Sequence, residues 1–160
     1  MTIQELEAKV KELNLELERI KEEKRKLWRA EYDEKYYCIR PTGAIDTGYE
    51  FGNVSNKYHH EFGNYYRTKE LAEQDAKEQR LRNRVRQLRD MLCEGYKFNQ
   101  RTFNYSIYYN KDEKYFAFYE RYVFCIGEVY FDNIEHVKQA CDILNNEFDE
   151  EYMEDFFNGN

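Results

Sequence analysis

Residues 66–72 read YRTKELA and residues 131–137 read FDNIEHV, and the two heptapeptides align in kind at an offset of 65. Each opens on an aromatic residue, Tyr66 or Phe131, and reaches a side chain able to cap a helix, Thr68 or Asn133. A glutamate follows (Glu70, Glu135), then a small apolar residue (Ala72, Val137). A hydroxyl or amide at that first position accepts hydrogen bonds from the unpaired N–H groups of an opening helix turn. A carboxylate one turn in faces the positive end of the helix dipole. Each junction therefore predicts a strand running into a helix, and its recurrence predicts an internal repeat.

Working outward from the first junction, Lys35–Arg40 (KYYCIR) reads as a strand and Pro41-Thr42-Gly43 as a tight turn. Ala44–Phe51 reads as the returning strand, Gly52–Glu61 as a polar loop and Phe62–Arg67 as a third strand. The helix after Thr68 is expected from about Lys69 to Glu94, ending at Gly95, with Leu81, Val85, Leu88 and Leu92 on one side. Around the second junction, Phe103–Tyr109, Lys114–Glu120 and Val123–Phe131 read as strands, with Asn110–Glu113 as a turn. The last helix starts at about Ile134, capped by Asn133 or Asp132. It buries Val137, Ala140, Cys141, Leu144 and Phe148 and continues through Tyr152, Met153 and Phe156 in an acidic extension.

The N-terminal stretch follows another period. Ile3, Leu6, Val10, Leu13, Leu17, Ile20, Lys24 and Leu27 alternate steps of three and four, which is the seam of a heptad repeat. A broad core would give a wider apolar face. β-Branched residues at the first seam position, mostly leucine at the second and one seam lysine favour two strands. Glu16 and Lys21 would pair across a parallel dimer. A polar helix of this length is not stable alone and needs a partner. The fold class expected is thus α+β. A coiled-coil helix over 1–30 precedes a first β-β-β-α unit over 31–95 and a second over 96–160 with an acidic tail, each unit with a short antiparallel sheet.

Composition bounds the function. Charged residues make up 36% and hydrophobic ones 41% of the 160 residues, with a mean hydropathy of −1.04. Aromatic content of 18% nevertheless supplies the area that a disordered chain lacks. No apolar run approaches the roughly 18 residues needed to span a bilayer, and the start shows no signal-peptide core, so no membrane role is expected. The widely spaced Cys38, Cys93, Cys125 and Cys141 suggest reduced thiols in a cytosol, with Cys38, Cys125 and Cys141 as small core residues.

Net charge is −7 but unevenly placed. Lys77, Arg80, Arg82, Arg84, Arg86 and Arg89 face only Glu78 in their stretch, whereas from Asp132 onward nine acids face only Lys138. The two regions could satisfy one another within the fold or across a dimer. The tail also sets Phe148, Tyr152 and Phe156 four apart, flanked by Glu150, Glu151, Glu154 and Asp155. On a helix this is an aromatic stripe edged with carboxylates, suited to a basic groove on a partner such as a defence nuclease. The alternative is that the stripe covers the chain's own Arg80–Arg89 helix. Arg80, Arg82, Arg84, Arg86 and Arg89 would form the nucleic-acid surface if the protein bound DNA, a second choice because apolar residues run through the same stretch.

Enzymatic constellations are weak. Ala44-Ile45-Asp46-Thr47-Gly48 matches the start of an aspartic-protease signature, but that chemistry needs two carboxylates sharing a proton, and Asp-Thr-Gly is also a turn signal. His59-His60-Glu61 on an extended segment would point its imidazoles apart, and no Cys-x-x-Cys pair occurs, so no metal or cofactor is expected. Phosphate-cradling glycine loops are absent. The Tyr-rich strands suit a protein interface better than a base-stacking platform, which would need a basic surface.

In the order of its motifs the chain resembles a diffuse group of small phage and prophage proteins of low-GC Gram-positive bacteria. The residues are the strand Lys35-Tyr36-Tyr37-Cys38-Ile39, the junction Gly63-Asn64-Tyr65-Tyr66-Arg67-Thr68-Lys69-Glu70-Leu71-Ala72, and the helix start Phe131-Asp132-Asn133-Ile134-Glu135. The likeness covers roughly residues 28–148. The Trp-x-Pro opening of the group is missing, and Trp28 closes the heptad stretch instead. The resemblance implies a phage origin in a neighbourhood of anti-defence proteins, anti-CRISPRs included, and brings no catalytic residues. The expected function is that of a non-enzymatic homodimer in the host cytoplasm that binds and inhibits a host protein. The alternatives are a dimeric nucleic-acid-binding regulator or an assembly protein acting through its coiled coil.

Overall fold

The computed structural model describes residues 3–25 and 27–158, with the side chains of residues 6–21 and 27–158. Among these the protein is α+β, with five helices and two antiparallel two-stranded sheets. The order is α1 (Ile3–Arg25), β1 (Lys35–Ile39), β2 (Ile45–Tyr49), α2 (Val54–Glu61), α3 (Lys69–Cys93), β3 (Asn104–Asn110), β4 (Tyr115–Arg121), α4 (Ile134–Glu147) and α5 (Glu150–Asn158). No described helix is long and apolar enough to cross a membrane.

The chain divides into two compact units, residues 1–38 with 47–67, and residues 39–46 with 68–160. This differs from the expected boundary near residue 95, because α3 packs with α4 and α5. The apolar side of α3 (Leu81, Val85, Leu88 and Leu92) is the reason: it joins the larger core of Tyr105, Phe116, Phe131, Val137, Leu144, Phe148 and Met153.

Both junctions work as capped strand-to-helix turns. Thr68 Oγ1 accepts from the Leu71 N–H at 3.3 Å, and Asn133 Oδ1 from the His136 N–H at 2.9 Å. Ala72 and Val137 are both fully buried. Tyr66 exchanges two backbone hydrogen bonds with Tyr37 of β1 (2.9 and 2.8 Å), as Phe131 does with Tyr105 of β3 (3.1 and 2.9 Å). Yet each is an isolated bridge, so the third strands expected over 62–67 and 123–131 reduce to single antiparallel contacts.

Two further expectations are corrected. Gly52–Glu61 holds a helix, α2, opened by a capping box in which Asn53 and Asn56 each accept the other's backbone N–H, at 2.9 and 3.3 Å. The terminal helix is two helices, since Phe148 adopts an extended conformation (φ −113°, ψ 99°) and Asp149 starts α5 by accepting from the Tyr152 N–H at 2.8 Å. Cys38 and Cys141 are buried as expected, whereas Cys125 lies half-buried in a loop.

The smaller core is built on Tyr36. Its ring stacks on Tyr65 at 4.0 Å, and its hydroxyl is bonded to His59 Nδ1 at 2.9 Å and receives Asn56 Nδ2 at 3.0 Å. Beside it the buried Glu50 carboxylate accepts from Arg29 (3.1 and 3.2 Å), Tyr65 (2.7 Å) and the Gly52 N–H (2.6 Å). Those donors, Arg29 first, hold Glu50 down to a pKa of about 2 against the opposing effect of burial.

Candidate functional site

The heptad seam lies along α1. Leu6, Val10, Leu13, Leu17 and Ile20 are each 45–60% exposed, far more than a core stripe would be. Ile3 and Lys24 have side chains outside the described residues. Leu27 lies past the end of α1 and is exposed, so the helix stops short of the last expected seam position. Lys21, expected to meet Glu16 of a second copy, here contacts Glu18 at 2.7 Å, an exposed pair that rearranges at little cost.

The acidic tail is used by the fold. Phe148 is buried in the larger core, and Tyr152 and Phe156 pack against it half-buried, with Met153 fully enclosed. The Arg80 guanidinium lies over the Phe148 and Tyr152 rings at 5.8 and 5.4 Å. Arg84 binds Glu147 with both arms of its fork, Lys77 reaches Asp155, and Lys114 of the second hairpin holds Glu150 and Glu154. Arg84 keeps the Glu147 carboxyl below its ordinary range, and Lys114 does the same for Glu154. The stripe of Phe148, Tyr152 and Phe156 is therefore not a free surface; only Glu151 of its expected contact residues is exposed without a described ion pair. The same pairing removes much of the basic patch. Arg89 contacts Asp90 at 2.6 Å, while Arg82 and Arg86 remain exposed.

A surface that sequence reading missed stands between β4 and α4. In the loop after Arg121, Tyr122, Val123, Phe124 and Ile126 are all exposed, Ile126 at 95%. The loop is nonetheless held. Its two ends are tied by Arg121, which donates to Glu128 at 2.6 and 3.1 Å. Glu128 also accepts from Tyr119 (3.0 Å) and Ser106 (3.2 Å). Burial pushes the Glu128 carboxyl up, but these donors outweigh it and hold it below the usual range. Within the loop the Tyr130 hydroxyl accepts from the Cys125 N–H at 2.6 Å and donates to the Cys125 carbonyl at 3.2 Å. The Phe124 ring leans on Phe98 and Tyr130 at 5.8 and 6.0 Å. Such a loop presents apolar side chains to solvent with little conformational entropy left to lose on binding. The signal in the sequence was Val-Phe-Cys-Ile-Gly, which reads as a strand because its apolar content is the same.

The remaining motifs resolve as structure. Asp46 of the Asp-Thr-Gly match pairs with Arg40 at 2.8 Å across the hairpin turn, and Gly48 lies directly under the Tyr36 ring. His59 and His60 lie on α2 rather than on an extended segment, and His59 serves Tyr36. Sequence reading also passed over a meeting of Cys93, Asp132 and His136, whose ligand-type atoms all lie within 4.8 Å of one another. Burial, opposed by a backbone hydrogen bond, pushes the Cys93 thiol up to about 11.

No family model, curated protein or solved structure matches the chain.

Proposed function

We propose that this protein is a non-enzymatic, self-associating binding factor that grips a partner protein through the loop Tyr122–Ile126. The observation that carries the reading is that loop: four exposed apolar side chains on a segment tied at both ends by charged hydrogen bonds. Soluble proteins rarely display a contiguous apolar patch unless something covers it. Burying a residue such as Ile126 or Phe124 contributes about 1.5–3 kcal/mol each, enough for a few anchors to hold a complex. The exposed α1 seam supports the second element, a parallel two-stranded coiled coil between copies. The matched junctions support two halves built on one β-hairpin-to-helix plan. The motif resemblance supplies the biological setting, inhibition of a host protein by a phage-derived factor.

A photo-reactive amino acid placed at Ile126 and expressed in a low-GC Gram-positive host tests this reading. A discrete adduct with one host protein is expected, lost when Phe124→Asp is added and absent when the probe replaces the exposed Arg82. Equal labelling from both positions refutes the loop as an interface. Self-association is read separately by sedimentation, where Leu13→Lys with Leu17→Lys should leave a monomer.

A further inference from the structure

The C-terminal residue of α3, the residue before the cap of α4 and the first turn of α4 bring a thiol, a carboxylate and an imidazole to one point. Cys93 Sγ lies 3.5 Å from His136 Nδ1, and Asp132 Oδ1 lies 2.7 Å from the same nitrogen. The Asn133 amide nitrogen is 2.9 Å from it as well. An imidazole nitrogen offers one in-plane position, a lone pair or a proton, so it cannot serve a thiol, a carboxylate and an amide together. The thiol, the carboxylate and the imidazole each offer one ligand atom at this point, whereas the Asn133 amide nitrogen, a hydrogen-bond donor without a free lone pair, does not ligate.

The spacing agrees. Zinc bonds of about 2.3 Å to sulfur and 2.0–2.1 Å to nitrogen, at a tetrahedral angle, place those two atoms about 3.6 Å apart. The Cys93–His136 separation of 3.5 Å already meets that value, and the 2.7 Å Asp132–His136 contact, a hydrogen bond in the metal-free chain, must lengthen to about 3.4 Å on binding. The backbone holds the set in place. Asn133 caps α4 and so fixes the turn that carries His136, while the packing of α3 on α4 through Leu88 and Leu144 delivers Cys93. Asp132 and His136 are each about one-third exposed, which leaves a path for an ion from solvent and room for a fourth ligand. The negative end of the α3 dipole at Cys93 offsets the positive end of α4 at His136, so the field of the helices does not repel a cation. Arg89, whose charge reaches Cys93, is engaged by Asp90 at 2.6 Å.

We propose that Cys93, Asp132 and His136 bind one divalent cation of the zinc class, with water or an external ligand in the fourth position. On binding, the Cys93 S–H bond breaks, its proton passes to solvent and the thiolate electron pair forms the metal–sulfur bond; no oxidation state changes. The thiolate and imidazole exclude magnesium and calcium, which require oxygen ligands throughout. The site stands independently of the partner-binding loop.

Titration of the full, reduced chain with Zn²⁺ and Co²⁺ tests it. The expected result is one ion per chain, with Co²⁺ showing visible tetrahedral bands and a thiolate charge-transfer band. Cys93→Ser should abolish the charge-transfer band and weaken Zn²⁺ binding by at least ~100-fold. Asp132→Asn, nearly isosteric and therefore the safer variant for folding, should weaken it by ~10-fold or more while the metal-free melting temperature stays within a few degrees. A charge-transfer band that persists in Cys93→Ser, or Zn²⁺ affinity unchanged by Asp132→Asn, overturns the assignment. So does the absence of stoichiometric binding to the native chain.

Discussion

Replacing Gly48 by alanine isolates the packing on which the smaller core depends. A Cβ at this position would lie 2.4 Å from Tyr36 Cζ and 2.6 Å from both Cε1 and the hydroxyl oxygen. Ordinary carbon contacts fall at about 3.5–4.0 Å, so the ring must retreat by roughly 1 Å. It has nowhere to go. Tyr36 is 2% exposed, its face is stacked on Tyr65 at 4.0 Å, and its hydroxyl is held by His59 and Asn56. Overpacking of this kind costs about 1–3 kcal/mol, and each hydrogen bond lost adds about 1 kcal/mol. The sum is about 3–5 kcal/mol, set against the roughly 0.5–1 kcal/mol that alanine gains over glycine in a strand of ordinary backbone angles. The expected sign is therefore opposite to that of an unencumbered glycine. The net loss is about 2–4.5 kcal/mol, and for a unit of about 60 residues each kcal/mol moves Tm by about 4–8 °C, so a fall of at least ~8 °C is expected. Thermal unfolding followed by circular dichroism reads the loss. Adding Tyr36→Leu should recover part of the loss, giving a favourable coupling of at least ~1 kcal/mol between the two sites. A Gly48→Ala protein as stable as the parent, or more stable, would refute the packing of Tyr36 over this strand.

Three other outcomes follow from the same contacts. Met153→Ala should destabilise the chain by about 2–5 kcal/mol in denaturant titration, because Met153 is fully buried among the core residues; a change below about 1 kcal/mol would return the tail to the surface. Glu50 has its folded pKa depressed from an ordinary 4.5 to about 2, so its contribution to stability is complete above about pH 4.5 and is lost as pH falls towards 2. Melting temperatures of the parent and Glu50→Gln should differ most at neutral pH and converge near pH 2, and parallel curves would contradict the Arg29–Glu50 contact. Because Lys77, Arg84 and Arg89 are ion-paired within the chain, duplex DNA should bind no tighter than about 10 µM at physiological salt, and a sub-micromolar complex abolished by Arg82→Glu with Arg86→Glu would favour a nucleic-acid role.

Local signals in the amino-acid sequence were enough for the helix starts at Thr68 and Asn133, the two hairpins, the helical state of α1 and the α+β class. Each depends on residues within a turn or two of one another: a cap, an alternation or a period of 3.5. The helix α2 escaped because its box uses Asn56 where glutamate or glutamine is usual, and Asn56 is held by distant groups, the Tyr36 hydroxyl and the Tyr49 carbonyl at 3.0 Å each. The fate of the acidic tail also lay outside local reading. An aromatic stripe among carboxylates has the same pattern whether it meets a foreign groove or its own Arg80 and Lys114, and only the packing of α5 beside α3 and the second hairpin decides between them. Likewise, apolar residues 122–126 look like a strand until the clasp of Arg121 on Glu128 turns them outward. Cys93 and His136 are far apart along the chain and carry no shared motif. They meet because Leu88 and Leu144 bury their side chains in one core, and hydrophobic burial, being non-directional, leaves no trace in sequence of which neighbours it will bring together.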